Sequence, residues 1–410
     1  MRRIMYVCAL LAVLGFTTSA LADTTITGEK KGAFFTITVP DVWNGDLVIS
    51  NHGFDFDAPE ANPGLGPLSS LWLSEGFAVA ASSFSQCCWA VFQAHRDVKR
   101  MVEVFEDNFG APNRVYVSGG SLGGIVTAQV VEKLKDDMNI VGAYPFCGAM
   151  AGSRSWDGGY DIRLIYDVIC GGVAPIPGGT TGLPAPGHPG SPFSIFDTLL
   201  ATNACMGVPF GGGLPGAAGR LAQFTAVTTV PVSFVAGDMV FATHGVSNVI
   251  FEAGKLNGEQ GMTNIGVTYS DAAVDAAIER VTADKQARKR LQRNFTPKGD
   301  VGDVKIVSLH TDGDGLVIVE QEQPYRDSVP AENLTLAIVD EAGNTHCGFT
   351  EAEIVSGWES LRAWTDGAPQ PSATDIQNTC LVLQGLGLGG PCRIDPSYVL
   401  GNLDTRFPPR

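Results

Sequence analysis

Residues 114 to 134, RVYVSGGSLGGIVTAQVVEKL, hold two incompatible periodicities joined by a glycine-rich break. Alternating Val115 and Val117 read as a strand, whereas Ile125, Val126, Val130 and Leu134 recur at helical spacing. Between them, GGSLGG leaves the chain only a tight strand-to-helix turn, with Ser121 at its tip. Small neighbours on both sides are what a strained turn of this kind requires, because the two backbones pass too close for side chains.

The rest of the chain repeats the alternation. LVIS (47 to 50), FAVAASSF (77 to 84), IVGAYPF (140 to 146), VKIVSLH (304 to 310) and LTLAIVD (334 to 340) read as strands beside RVYVSG (114 to 119). Val98, Met101, Val102, Phe105 and Phe109 form a helical stripe that Gly110 and Pro112 end. Thr350 and Glu353 make a capping-box pattern before a second stripe of Ile354, Val355, Trp358, Leu361 and Trp364. This pattern predicts an α/β fold, a mostly parallel sheet flanked by helices. It breaks between about 150 and 300, where twelve of the twenty residues from 171 to 190 are Gly or Pro and predict an irregular loop. Farther on, residues 270 to 295 have a helical pattern with Ser270 as N-cap. The expected organisation is a catalytic domain from 23–150 and 300–410, interrupted at 151–299 by an insertion that caps one end of the sheet.

Residues 1–22 carry Arg2 and Arg3, an apolar run and Ala20-Leu21-Ala22, the layout of a secretory signal peptide. Its removal would leave 25 basic against 43 acidic residues, a net charge of −18. Such a charge argues against nucleic acid or anionic membrane as a partner. Eight cysteines would remain, an even number that in an exported chain predicts disulfides. Cys380 with Cys392 and Cys170 with Cys205 are the local pairings. Adjacent Cys87 and Cys88 are expected to reach two different partners, with Cys147 and Cys347 left over. The expected location is secreted or periplasmic.

A serine hydroxyl becomes a nucleophile when a base takes its proton and a carboxylate fixes that base. Ser121 as nucleophile therefore needs a histidine, and His346 in DEAGNTHCGFTEAE follows a late strand. The acid is expected after VKIVSLH, as Asp314 with Asp312 the alternative. The oxyanion would be held by the N–H of Leu122, at the helix start, and of Phe54, in the NHGF loop after LVIS. A metal reading of His52, Asp55 and Asp57, or of His310, Asp312 and Asp314, is the weaker one; no metal or cofactor is expected. His95, His188 and His244 are read as surface or packing residues.

Nucleophile turn, HGF loop, strand-end aspartate and late histidine, in that order, resemble the α/β-hydrolase superfamily from about residue 40 to 366. HTDGDGLVIVEQEQPYRD followed by THCGFTEAE is similar to secreted bacterial serine esterases and the prolyl-oligopeptidase-like branch. That resemblance implies an acyl-enzyme mechanism on Ser121, His346 and Asp314. His346-Cys347 also resembles tannases and feruloyl esterases, which bond this cysteine to one just before the serine; here Gly120 stands there, so Cys347 is expected to find another partner, Cys87 or Cys88.

Phe54, Phe56, Trp89 and Trp156 lie near strand ends and are expected to line an apolar acyl or aryl pocket. The expected partner is a small-molecule or oligomeric ester, an aryl ester or a polyester or hydroxyalkanoate oligomer. The alternatives are a prolyl-oligopeptidase-like serine peptidase and a catalytically silent binding protein.

Overall fold

The computed structural model describes residues 23–57, 59–181 and 193–410. Eight strands form one sheet in the order β1-β2-β4-β3-β5-β6-β7-β8. They are β1 (Thr24–Lys30), β2 (Ala33–Val39), β3 (Leu47–Asn51), β4 (Ala78–Ser82), β5 (Val115–Gly120), β6 (Ile140–Phe146), β7 (Lys305–Thr311) and β8 (Leu334–Val339). β1 pairs antiparallel with β2, and β2 antiparallel with β4. All later pairings are parallel.

The pleat of β5 shows how the sheet is buried on both faces. Val115 and Val117 enter one core with Ile49, Ala143 and Ile306, while Tyr116 enters the other with Val48, Tyr144 and Val307. Helices α2 (Ala94–Phe109) and α3 (Leu122–Leu134) cover the first face. The second is covered by α1 (Ser69–Ser74) and by α12 (Glu351–Thr365) and α13 (Ala373–Gly385), which close the chain's helical series. Thr350 and Glu353 form the reciprocal capping box at the start of α12. Gly110, at φ 86°, ends α2.

Between β6 and β7 lie α4 (Ser153–Cys170), α5 (Ile195–Met206), α6 (Ala217–Thr228), α7 (Val235–Val240), α8 (Val246–Phe251), α9 (Ala272–Ala277) and α10 (Lys285–Phe295). A π turn, Phe241–Gly245, joins α7 to α8. The remaining helix, α11 (Glu322–Ser328), follows β7.

Several expectations are corrected. The sheet begins at Thr24, not at residue 47: Lys31 and Gly32, both at positive φ, make a two-residue hairpin turn between β1 and β2. The single helix expected over 270 to 295 is two helices. Asn264 donates to Glu279 O and accepts from Val281 N–H, each at 2.7 Å, which holds 279–281 out of helical conformation. Asp271, not Ser270, caps α9, and Asp284 caps α10. Residues 171–181 form turns and a short 3₁₀ segment; the remainder of the glycine-proline stretch, and residues 1–22, where a signal peptide is expected, lie outside the described residues.

Cys170–Cys205 and Cys380–Cys392 pair as expected. Cys87 and Cys88 do not reach separate partners but bond each other, and Cys347 joins Cys147. Among the described residues, no helix is long and apolar enough to cross a membrane.

Candidate active site

Ser121 sits between β5 and α3 at φ 57° and ψ −123°, a strained conformation for a residue with a side chain. The flanking glycines make that turn possible. A Cβ on Gly119 would meet Asn51 O and Gly123 O at 2.6 Å, and one on Gly123 would meet Asn51 O at 2.1 Å. Close packing of the turn against β3 thus brings the NHGF loop beside the serine, where a Cβ on Gly53 would lie 3.6 Å from Ser121 Cβ. Leu122 is the first residue of α3, so its N–H belongs to the set that no intrahelical carbonyl accepts. Phe54 faces the same cavity as Ser121 and Leu122.

His346 Nε2 lies 2.8 Å from Ser121 Oγ, and His346 Nδ1 lies 2.7 Å from Asp314 Oδ2. A carboxylate only accepts, so Nδ1 carries the proton it donates to Asp314 and Nε2 is left to accept from the serine hydroxyl. Asp314 Oδ1 is fixed by the N–H groups of Leu316 and Val317, each at 3.0 Å. Asp312 points elsewhere: its Oδ1 accepts from Glu341 N–H at 2.8 Å. The sequence left Asp314 and Asp312 open; the fold brings only Asp314 to the histidine.

Parallel β5, β6, β7 and β8 beyond an antiparallel edge, a strained serine turn after β5, an aspartate after β7 and a histidine after β8 together define the architecture. It is the α/β-hydrolase fold. In α/β-hydrolase order the three side chains converge at the C-terminal ends of the parallel strands, where ligands of open α/β sheets bind.

A second layer supports this arrangement, and two of its members, Glu322 and Glu341, were not singled out from sequence. His310, buried on β7, shares hydrogen bonds with Glu322 (3.0 Å) and Val317 O (2.7 Å). Burial opposes charge on its ring, but Glu322 and Asp314 outweigh that and raise its pKa. Both ring nitrogens are therefore engaged, by protein rather than by the metal set considered for His310, Asp312 and Asp314. Glu341 holds the His346 loop through the Thr345 N–H and hydroxyl. The Cys147–Cys347 disulfide ties that loop to the end of β6.

Two clefts meet at Ser121 and Phe54. One runs past His52, Gly53, His346 and Cys347. The other is walled by Phe54, Trp89, Trp156 and Phe241, with Asp238 and Arg406 among its polar lining. Trp89 and Trp156 pack edge to face at 5.1 Å. Phe56 is not among the lining residues; it packs behind Phe54 (4.7 Å) and against Phe241 (5.7 Å). His52 stacks on Phe84 at 4.4 Å and bonds Gly53 O through Nδ1, a packing role for a histidine once considered with Asp55 and Asp57 for metal. His244, read as a surface or packing residue, is buried against Thr198, with Nε2 2.8 Å from the hydroxyl.

No family model matches the chain. Among curated proteins it is similar to an o-phthalyl amidase from Xanthobacter agilis, 32% identical over 108 residues. Those residues make up 26% of this chain, which spans only 23% of that relative's length. Among solved structures it is similar to feruloyl esterase B from Aspergillus oryzae, at 14% identity over 85% of this chain and 81% of that one, with a TM-score of 0.46. It is also similar to Candida antarctica lipase A, at 12% identity, 92% and 80% coverage and a TM-score of 0.43. A proline iminopeptidase from Mycobacterium smegmatis aligns at 14% identity, 88% and 99% coverage and a TM-score of 0.39. At these scores the strand order and the side-chain geometry, not the likenesses, carry the structural argument.

Proposed function

We propose that this chain is an exported serine hydrolase that cleaves carboxylic esters through an acyl-enzyme intermediate. The observation that carries the proposal is the continuous hydrogen-bonded series Ser121–His346–Asp314, at 2.8 and 2.7 Å. Ser121 Oγ attacks the acyl carbon while His346 Nε2 takes its proton. The Leu122 and Phe54 N–H groups receive the developing oxyanion. His346 returns the proton to the departing alcohol as the carbon–oxygen bond breaks. Water, deprotonated by the same nitrogen, then attacks the acyl carbon and releases Ser121 and the carboxylic acid. Asp314 holds the imidazole in the required tautomer and stabilises its charge.

The aromatic walls of Phe54, Trp89 and Trp156 favour an aryl or otherwise apolar acyl group, free or as part of an oligomer. The helices between β6 and β7 act as the cap over that pocket, with Trp156 from α4 and Phe241 from the π turn facing the serine's side. Four disulfides fit an oxidising location outside the cytoplasm, and the acidic chain is not expected to engage nucleic acid or membrane.

Amide cleavage is the second reading, favoured by the similarity to a protein named for an amidase. The test is turnover of phenyl esters, alkyl esters, anilides and prolyl amides by wild type beside Ser121→Ala. Ser121-dependent turnover with esters ahead of amides is expected. Faster anilide or prolyl amide cleavage reverses the assignment, and turnover that survives in Ser121→Ala removes it.

A further inference from the structure

Resting on the ester-hydrolase reading, we propose that the aromatic cleft beside Ser121 selects an aryl acyl group carrying a second carboxylate, which Arg406 binds. Substrates of this class are monoesters of aromatic dicarboxylic acids.

The cleft is walled by rings, yet it contains Arg406 and Asp238. A cation on an apolar wall needs an anion, because desolvation of a guanidinium is costly unless it is paired. Among the described residues no carboxylate forms an ion pair with Arg406. Its Nε is buried without a hydrogen-bond partner, and its Nη2 reaches only Thr229 O at 3.5 Å. Burial lowers the pKa of the guanidinium, with Glu320 and Asp238 acting against that from a distance.

Asp238 does not supply the missing anion. Burial raises its pKa well above the usual carboxylate range, Asp314 adds to the effect, and Arg406 opposes it without prevailing. Asp238 and Arg406 line the same cleft, and a carboxyl whose charged form is disfavoured competes weakly for the guanidinium, which leaves Arg406 to an incoming carboxylate.

The arginine is also held in place. Arg154 bonds Asp404 at 2.5 Å and also bonds Phe407 O, so it grips the segment on both sides of Arg406. Leu403 is fully buried. The Phe407 ring fills a notch over α4 where a Cβ on Gly158 would come within 2.3 Å of it. A planar, pre-positioned guanidinium on a ring-lined wall fits a rigid aromatic carboxylate better than a flexible aliphatic one.

Two measurements test this. Calorimetric binding of phthalate, isophthalate and terephthalate to Ser121→Ala protein, with benzoate as reference, reads the subsite without requiring turnover. At least one dicarboxylate should bind roughly tenfold or more tighter than benzoate. Arg406→Gln should erase that preference, and Arg406→Lys should keep part of it. The turnover ratio of the matching monoethyl ester to ethyl benzoate should fall by a similar factor in Arg406→Gln. Equal affinity for benzoate and all three isomers, or a preference and ratio unchanged in Arg406→Gln, overturns the proposal. Absence of Ser121-dependent turnover of every ester, with dicarboxylate binding intact, would overturn the hydrolase reading and leave the subsite standing.

Discussion

Cys347 is bonded to Cys147, so the residue after His346 is tied to the residue after β6, 200 positions earlier in the chain. The bond spans the two strand ends between which β7 and Asp314 lie. It therefore limits how far His346 can move from both Ser121 and Asp314. Closing so long a loop also removes much conformational freedom from the unfolded chain.

The double variant Cys147→Ser with Cys347→Ser should lose about 2–5 kcal/mol of stability and also activity per folded molecule. Cys380→Ser with Cys392→Ser, which opens a separation of only 12, should lose less stability and keep its activity. Denaturant melts and initial rates on the folded fraction check both. Equal activity in the two variants would mean that the Cys147 bond does not position His346.

Gly123→Ala places a methyl 2.1 Å from Asn51 O and 2.9 Å from His52 O. The NHGF loop must move away from the serine, at a cost of about 1–3 kcal/mol in overpacking. A fall in kcat of roughly tenfold or more, with the far-ultraviolet spectrum retained, is expected when the oxyanion donor loop shifts. Wild-type kcat in this variant would remove Phe54 N–H from the mechanism.

Asp314→Asn should lower kcat by about 10⁴, because an amide no longer enforces the histidine tautomer. Asp312→Asn should cost far less, since that carboxylate serves the Glu341 N–H. Steady-state rates of both variants on one ester decide the matter; the reverse ranking would make Asp312 the acid.

Asp238 titrates above its ordinary value of 3.8 in the fold, with burial as the main cause. Above about pH 4 the unfolded chain gives up this proton more readily than the folded chain does. Fewer protons are then bound in the unfolded state, and stability falls as pH rises, by at most about 1.4 kcal/mol per pH unit. Asp238→Asn lacks that penalty. The melting temperature of the variant relative to wild type should therefore climb as pH rises from about 4, and a flat or declining difference would contradict the upward shift of Asp238.

Six strands were legible because each is an apolar run between turn residues, and the serine turn because its glycines separate two periodicities. The β1–β2 hairpin carries a signal that was passed over, since Phe35, Ile37 and Val39 alternate with Thr36 and Thr38 just after the Lys31-Gly32 turn. Helix α13 carries a signal that was passed over, Ser372 and Asp375 as a capping box before Ile376 and Cys380. The break between α9 and α10 depends on Asn264, which lies outside the segment it interrupts, and no local pattern reveals it. The choice of Asp314 over Asp312 is likewise a matter of direction: both follow β7, and only the fold points one at His346 and the other at Glu341. Asp238 and Arg406 come from a helix and a terminal segment far from any motif, so their meeting in one cleft was not readable at all.

The most direct test of the central claim is labelling of native protein by a fluorophosphonate, followed by peptide mass mapping, in wild type and in His346→Ala. The geometry predicts one adduct, on Ser121, and labelling slowed by at least about 10³ when the base is removed. No adduct on folded, disulfide-bonded protein, or labelling of Ser121 that is indifferent to His346, would contradict it.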